Sequence, residues 1–101
     1  IFIASDNNEC IKNLIEIFND KEIIYIENIE RVNSFNDIRG AHDRINTESE
    51  IYNNRKYHNY LCGKEAIQDV LLLAKCNYLL KSYSGLSDSA IILNENIEKV
   101  Y

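Results

Sequence analysis

The apolar positions of this chain fall into short blocks separated by polar stretches. Ile1-Phe-Ile-Ala-Ser5 is closed by Asp6-Asn7-Asn8, the pattern of a buried strand that runs into a helix cap. Glu9 follows Asp6 at the spacing of a capping box, with Asp in place of Ser or Thr. Cys10, Ile11, Leu14, Ile15, Ile17 and Phe18 then recur with helical period, so a helix is expected as far as Phe18. Asn19-Asp20-Lys21 breaks it, and Ile23-Ile-Tyr-Ile26 predicts a second buried strand. A strand, a helix and a strand with short connections form a βαβ unit, which implies parallel pairing and a right-handed crossover.

From Glu27 to Cys62 the period is lost. This stretch is rich in Asn, Asp, Glu, Arg and Tyr and reads as a long polar insert (about 27–62). It carries a short helical turn over Arg31–Ile38 and partial helix over Ile51–Leu61. Inserts of this length in a compact domain are usually functional, or they pack against a neighbour.

Gly63 opens a more regular end. Ala66, Ile67, Val70, Leu71, Leu73 and Ala74 form a broad apolar face on an expected helix over Lys64–Lys75. Asn77-Tyr-Leu-Leu-Lys-Ser82 reads as a strand, Leu86–Leu93 as a helix, and Glu98-Lys-Val-Tyr101 as a terminal strand. The resulting fold class is α/β, with flanking helices on a parallel sheet. The chain forms one partial domain over 1–101, with no repeat, linker or low-complexity tract.

Composition narrows the function. At 101 residues the core is feasible but thin, since a chain of this size buries roughly 60–65% of its unfolded surface. The net charge of −5 gives no electrostatic reason to seek nucleic acid or an anionic membrane. Its longest apolar runs are far short of a membrane span. The three cysteines, Cys10, Cys62 and Cys76, form no CxxC pair and read as thiols in a reducing compartment. The chain opens inside an expected core strand without a Met, which reads as a piece of a longer protein.

Few residues offer chemistry. Asp69 lies on a mostly apolar helix. It reads either as a solvated face residue or as a carboxylate accepting two N–H bonds from a guanine edge. Ser82, Ser84, Gly85 and Ser87 lie where a strand hands over to a helix N-terminus. Unpaired backbone N–H groups and the helix dipole favour an anion there, and Gly85 lets the backbone approach a ligand closely. The plain alternative is N-capping by Ser84, with Ser87 and Asp88 in the first turn. Asp6 ends the first strand, where sheet ligands often bind, or it is only a cap. Neither GxGxxG nor a Walker A pattern occurs. His42 and His58 lack a third ligand at metal-site spacing, so no metal site is expected. His42-Asp43-Arg44 offers a polar cluster, and Tyr52, Tyr57 and Tyr60 read as packing or stacking residues.

Glu65-Ala-Ile-Gln-Asp-Val-Leu-Leu-Leu-Ala-Lys-Cys-Asn-Tyr-Leu-Leu-Lys-Ser-Tyr-Ser-Gly-Leu-Ser87 resembles the donor-binding end of GDP-fucose fucosyltransferases. The similarity is to the α-1,6- and nodulation-factor types. Those enzymes carry an Asp followed by an apolar helix, a short strand, and a Ser-rich turn before another helix. Ile1-Phe-Ile-Ala-Ser-Asp-Asn7 also looks like their strand that ends in an acidic pair, with Asn7 in place of the second acid. Together the two stretches cover roughly half of the chain.

The resemblance implies a GT-B-type C-terminal half with a Rossmann-like sheet, and inverting transfer of fucose from GDP-fucose to a glycan hydroxyl. It implies no cofactor and no obligatory metal. Asp69 would contact guanine, while Ser82, Ser84 and the backbone near Gly85 would hold the pyrophosphate, with Asp6 and Ser87 as further candidates. The family's Ser-Ser pair is Ser84-Gly85 here, one hydroxyl fewer. Its basic His-x-Arg-Arg motif is absent from this sequence, and His42-Asp-Arg44 is not its equivalent. The isolated chain is therefore expected to be inactive, with the rest of the same enzyme as its partner. A bacterial parent would be cytoplasmic or membrane-peripheral and a eukaryotic one Golgi-lumenal. The competing class is a non-catalytic receiver-like βα module, with Lys81 near its last strand, or a structural half-domain that only packs on a partner.

Overall fold

The structure is a computed structural model that describes residues 1–33 and 56–100. Its elements are α1 (Asn8–Ile17), α2 (His58–Leu73), β1 (Tyr78–Leu80), α3 (Gly85–Leu93) and β2 (Glu98–Val100). Strands β1 and β2 pair in parallel, with Tyr78 opposite Glu98, Leu79 opposite Lys99 and Leu80 opposite Val100. Helix α3 makes the crossover between them, as parallel neighbours require. The chain is thus a small α/β unit with a two-stranded parallel sheet.

The core forms where α2, α3 and the sheet meet. Leu73, Leu79, Ala90 and Ile97 are buried together, with Val70, Ala74, Leu86 and Ile91 packed around them. Ala90 has no exposed surface at all, which lets α3 approach α2 closely. Phe2 and Ala4 pack on the same cluster, so the N-terminal segment shares this core. At the end of α3, the Asn94 amide donates to the Ala74 carbonyl at 2.8 Å. That bond ties the last turn of α3 to the end of α2 and satisfies an acceptor that the helix leaves open.

The first βαβ unit is present in outline only. Phe2 pairs with Ile24 and Asn7 with Val32, both in parallel, as isolated bridges. The Ile3 amide donates to the Ile24 carbonyl at 2.9 Å and the Ile24 amide to Ile1 at 2.8 Å. The buried strand expected over Ile23–Ile26 shrinks to this contact. Ile24 is 55% exposed, because the described chain lays no layer over it.

The cap of α1 also differs from the expectation. Asn7, not Asp6, is the N-cap, and its Oδ1 accepts from the amides of Glu9 (2.9 Å) and Cys10 (3.2 Å). The Asp6 carbonyl is taken by the Val32 amide at 2.9 Å, and the next residue, Asn7, holds the extended conformation of an N-cap. Asn7→Ala is therefore expected to lower stability by about 1 kcal/mol, whereas Asp6→Ala changes it little. Urea unfolding of the two variants checks this, and equal losses would restore Asp6 as the cap.

Helix α2 starts at His58, so Gly63 is an interior residue and the polar insert ends earlier than expected. The helix stops at Leu73 rather than Lys75. Its broad apolar face is only partly used: Leu73 is buried, but Ile67 and Leu71 are exposed. Helix α3 begins one residue earlier than expected, at Gly85. The expectations for His42-Asp43-Arg44, Tyr52, the segment 34–55 and Tyr101 lie outside the described residues. Among the described residues no helix is long and apolar enough to cross a membrane.

Candidate functional site

The predicted residues separate into two places. The first is the junction of β1 with α3. Ser82, Ser84 and Gly85 are exposed there, whereas Ser87 is buried. Ser84 occupies the N-cap in extended conformation, but its side chain makes no cap bond. Its carbonyl does the work instead, accepting from the Asp88 amide at 3.0 Å and from the Ser87 hydroxyl at 2.9 Å. Ser87 therefore turns back into the helix rather than outward. The amides of Gly85, Leu86 and Ser87 precede the first helical bond, which leaves them without helical acceptors. Gly85 has ordinary backbone geometry and open space where a Cβ would sit.

Two lysines flank this junction. Residue 81 follows buried Leu79 by two, and Lys99 lies opposite Leu79 in register, so both belong to the face that α3 covers. The Lys81 ammonium pairs with Asp88 at 2.6 Å and donates to the Ser82 carbonyl at 3.4 Å. It also stands 5.9 Å from the Tyr83 ring centre. Lys81, Tyr83, Asp88, Ile91, Ile92 and Lys99 line an open groove of about 470 Å³. The alternation along β1 was the signal that could have placed these lysines beside the turn.

The second place surrounds Arg31. This residue is 6% exposed, and its guanidinium bonds main-chain carbonyls. Nε donates to Ser5 at 2.9 Å, Nη2 to Ile26 at 2.5 Å and Nη1 to Glu27 at 3.5 Å. The cation also lies 5.6 Å from the centre of the Tyr25 ring. Burial lowers its pKa; Asp69 first, then Tyr25, Glu65 and Asp6, oppose that fall.

Asp69 is 7% exposed, not solvated, and its Oδ1 has no hydrogen-bond partner. Burial pushes its carboxyl up to about 6; Arg31 opposes that rise and Glu65 adds to it. Asp6 is exposed and belongs to the same electrostatic neighbourhood. Among the described residues no hydrogen bond or ion pair joins Asp69 to Ser82, Ser84 or Gly85. Arg31 carries no sequence signal, because it lies in an aperiodic polar stretch and its partners are backbone oxygens.

The remaining polar residues form smaller contacts. On α2, buried His58 places Nε2 3.4 Å from the Cys62 sulfur. Tyr57 and Tyr60 are exposed and are not core residues. Among the described residues no group of three His, Cys, Asp or Glu side chains is placed to hold a metal. Comparison of the chain with protein-family models, curated proteins and solved structures finds no match.

Proposed function

We propose that this chain is the donor-binding part of an inverting glycosyltransferase that uses GDP-fucose or a related sugar nucleotide, on a Rossmann-like half of a GT-B-type enzyme. The observation that carries this reading is the β1–turn–α3 crossover. It sets Ser82, Ser84 and the first-turn amides of α3 at the carboxyl end of β1 in a parallel pair, next to a groove that Lys81 and Lys99 line. Ligands of open α/β sheets bind at that end of the strands. The resemblance described above supports the choice of a GDP-sugar.

In the transfer, a glycan hydroxyl attacks the sugar C1 from the face opposite the diphosphate. The new C–O bond forms as the bond to the diphosphate breaks; GDP leaves with the electron pair, and the hydroxyl proton passes to water. The amides and lysines at the turn stabilise the charge that gathers on the leaving diphosphate. Asp69 accepts N–H bonds from the guanine and sets the preference for that base.

Calorimetric titration of the chain with GDP and with ADP tests the assignment. GDP is expected to bind more tightly, and Lys99→Gln with Ser84→Ala to weaken both nucleotides together. Equal affinity for GDP and ADP, or no binding of either, would refute the reading.

The second reading is a non-catalytic βα module. It is favoured by the exposure of Tyr78, Leu80 and Val100 on one face of the sheet, a face suited to packing on a partner. Self-association or partner binding without nucleotide affinity would favour it.

A further inference from the structure

Buried His58 opens α2 and Cys62 follows four residues later, the spacing that brings two side chains together on one helix face. The Cys62 Sγ lies 3.4 Å from His58 Nε2 and 3.9 Å from Nδ1. A neutral imidazole carries its acceptor on one of these two nitrogens. Both are within reach of the thiol, so either tautomer can take its proton. Just before the pair, Tyr57 holds a left-handed conformation with φ of 59°, uncommon for an aromatic residue. The imidazole is 3% exposed, whereas Cys62 is partly exposed. The neighbouring Gly63 has open space where a side chain would project. A small reagent therefore reaches the sulfur while the base beside it stays shielded from water.

The other two thiols supply a comparison within the same chain. Cys10, Cys62 and Cys76 are all partly exposed, so exposure does not set Cys62 apart. The Cys76 thiol donates to the Leu72 carbonyl at 3.5 Å, an acceptor too weakly basic to take the proton. Among the described residues neither Cys10 nor Cys76 contacts an imidazole.

We propose that Cys62 and His58 form a nucleophile–base pair that makes Cys62 a site of mixed-disulfide formation with small disulfides. A nucleophile held within hydrogen-bond reach of a base is the arrangement that activates a thiol. His58 takes the thiol proton as Sγ attacks one sulfur of the small disulfide. The new S–S bond forms and the old one breaks. The departing sulfur leaves with the electron pair and receives the proton from His58. Cys62 is oxidised, and the departing thiol is the reduced product. Attack by a second small thiol reverses the step. An ordinary thiol is only a few per cent ionised at neutral pH, so a neighbour that removes the proton raises the rate by about tenfold. The pair lies on α2, and its chemistry is independent of any nucleotide bound at the β1–α3 turn.

The experiment exposes the full chain to oxidised glutathione at neutral pH and stops the reaction with acid at intervals. Peptide mass spectrometry then gives the rate of glutathione addition at each cysteine in one sample. Cys62 is expected to react about tenfold faster than Cys10 or Cys76. His58→Gln should bring Cys62 down to their rate and leave theirs unchanged. In urea the lead of Cys62 should vanish, because the contact with His58 exists only while the helix is formed. Equal rates at the three cysteines of the folded wild-type chain would overturn the proposal, even where His58→Gln fails to fold. So would a lead that survives in urea, or one that a folded His58→Gln chain retains.

Discussion

Asp69→Asn is expected to stabilise the fold at neutral pH. The carboxyl titrates near 6 in the folded chain against an ordinary 3.8, so folding favours its neutral form. Holding the carboxyl about two pKa units high, at about 1.36 kcal/mol per unit, makes the ionised side chain on the order of 2–3 kcal/mol less compatible with the fold than the protonated one. That balance already includes the favourable charge of Arg31. Between pH 3.8 and about 6 the folded state binds more protons than the unfolded one. Stability from this group is therefore full below pH 3.8, falls as pH rises through that window, and is lowest above it.

Asparagine keeps the shape and removes the charge. The variant should melt above wild type at pH 7.5, with the gap closing towards pH 4. Differential scanning calorimetry across that range gives the answer; a variant melting below wild type at neutral pH would show that burial is not the dominant influence on Asp69. In the proposed function that cost is retained because Asp69 contacts the base. The same substitution should weaken GDP, but not ADP, by the loss of a charged acceptor, typically about 1.5–3 kcal/mol.

Arg31→Met is expected to act in the opposite direction and to be the most damaging single change. It removes the donor from three main-chain carbonyls and the opposing charge from Asp69 at once. Breaking such a buried charged network costs about 3–5 kcal/mol, a large share of the roughly 5–15 kcal/mol that holds a domain together. The loss should be local first. Hydrogen exchange should accelerate at the Ile3, Ile24 and Val32 amides, whose bonds join the segments that Arg31 links. Protection in α3 should change far less, because its contacts run to α2 and the sheet. Lys at this position recovers little of the stability, since one ammonium on a flexible stem cannot reproduce a planar fork aimed at three oxygens. Uniform exchange across the chain would show that the N-terminal third has no separate stability.

The helices and the parallel crossover were legible in the sequence wherever burial imposed a period. Leu79 and Ala90 fall in the elements their patterns predict, and β1–α3–β2 follows from turn residues placed between apolar runs. The misses have physical causes. Asn7 rather than Asp6 is the cap, and the Asp6 carbonyl is held in a long-range bridge to Val32, a contact that no local spacing encodes. The Ile23–Ile26 run is apolar without being buried, since hydrophobicity does not say whether a covering layer is present. The expected start of α2 at Lys64 takes Gly63 as a boundary, whereas the helix begins at His58 and runs through the glycine. For the candidate site, the Ser-rich turn was visible from its composition. Arg31 was not, because a cation that serves backbone oxygens has no partner residue to give it away.

The ion pair between Lys81 and Asp88 bridges the turn of residues 81–84, which strand β1 anchors on one side and helix α3 on the other. As a partly exposed pair it contributes little to overall stability. Its effect falls instead on conformational entropy. A loop of so few residues is cheap to close, and once closed its backbone has few alternatives left to surrender. At the proposed site a ligand meets first-turn amides that α3 already holds in place, so the part of its binding energy normally consumed in arresting a mobile loop is retained as affinity.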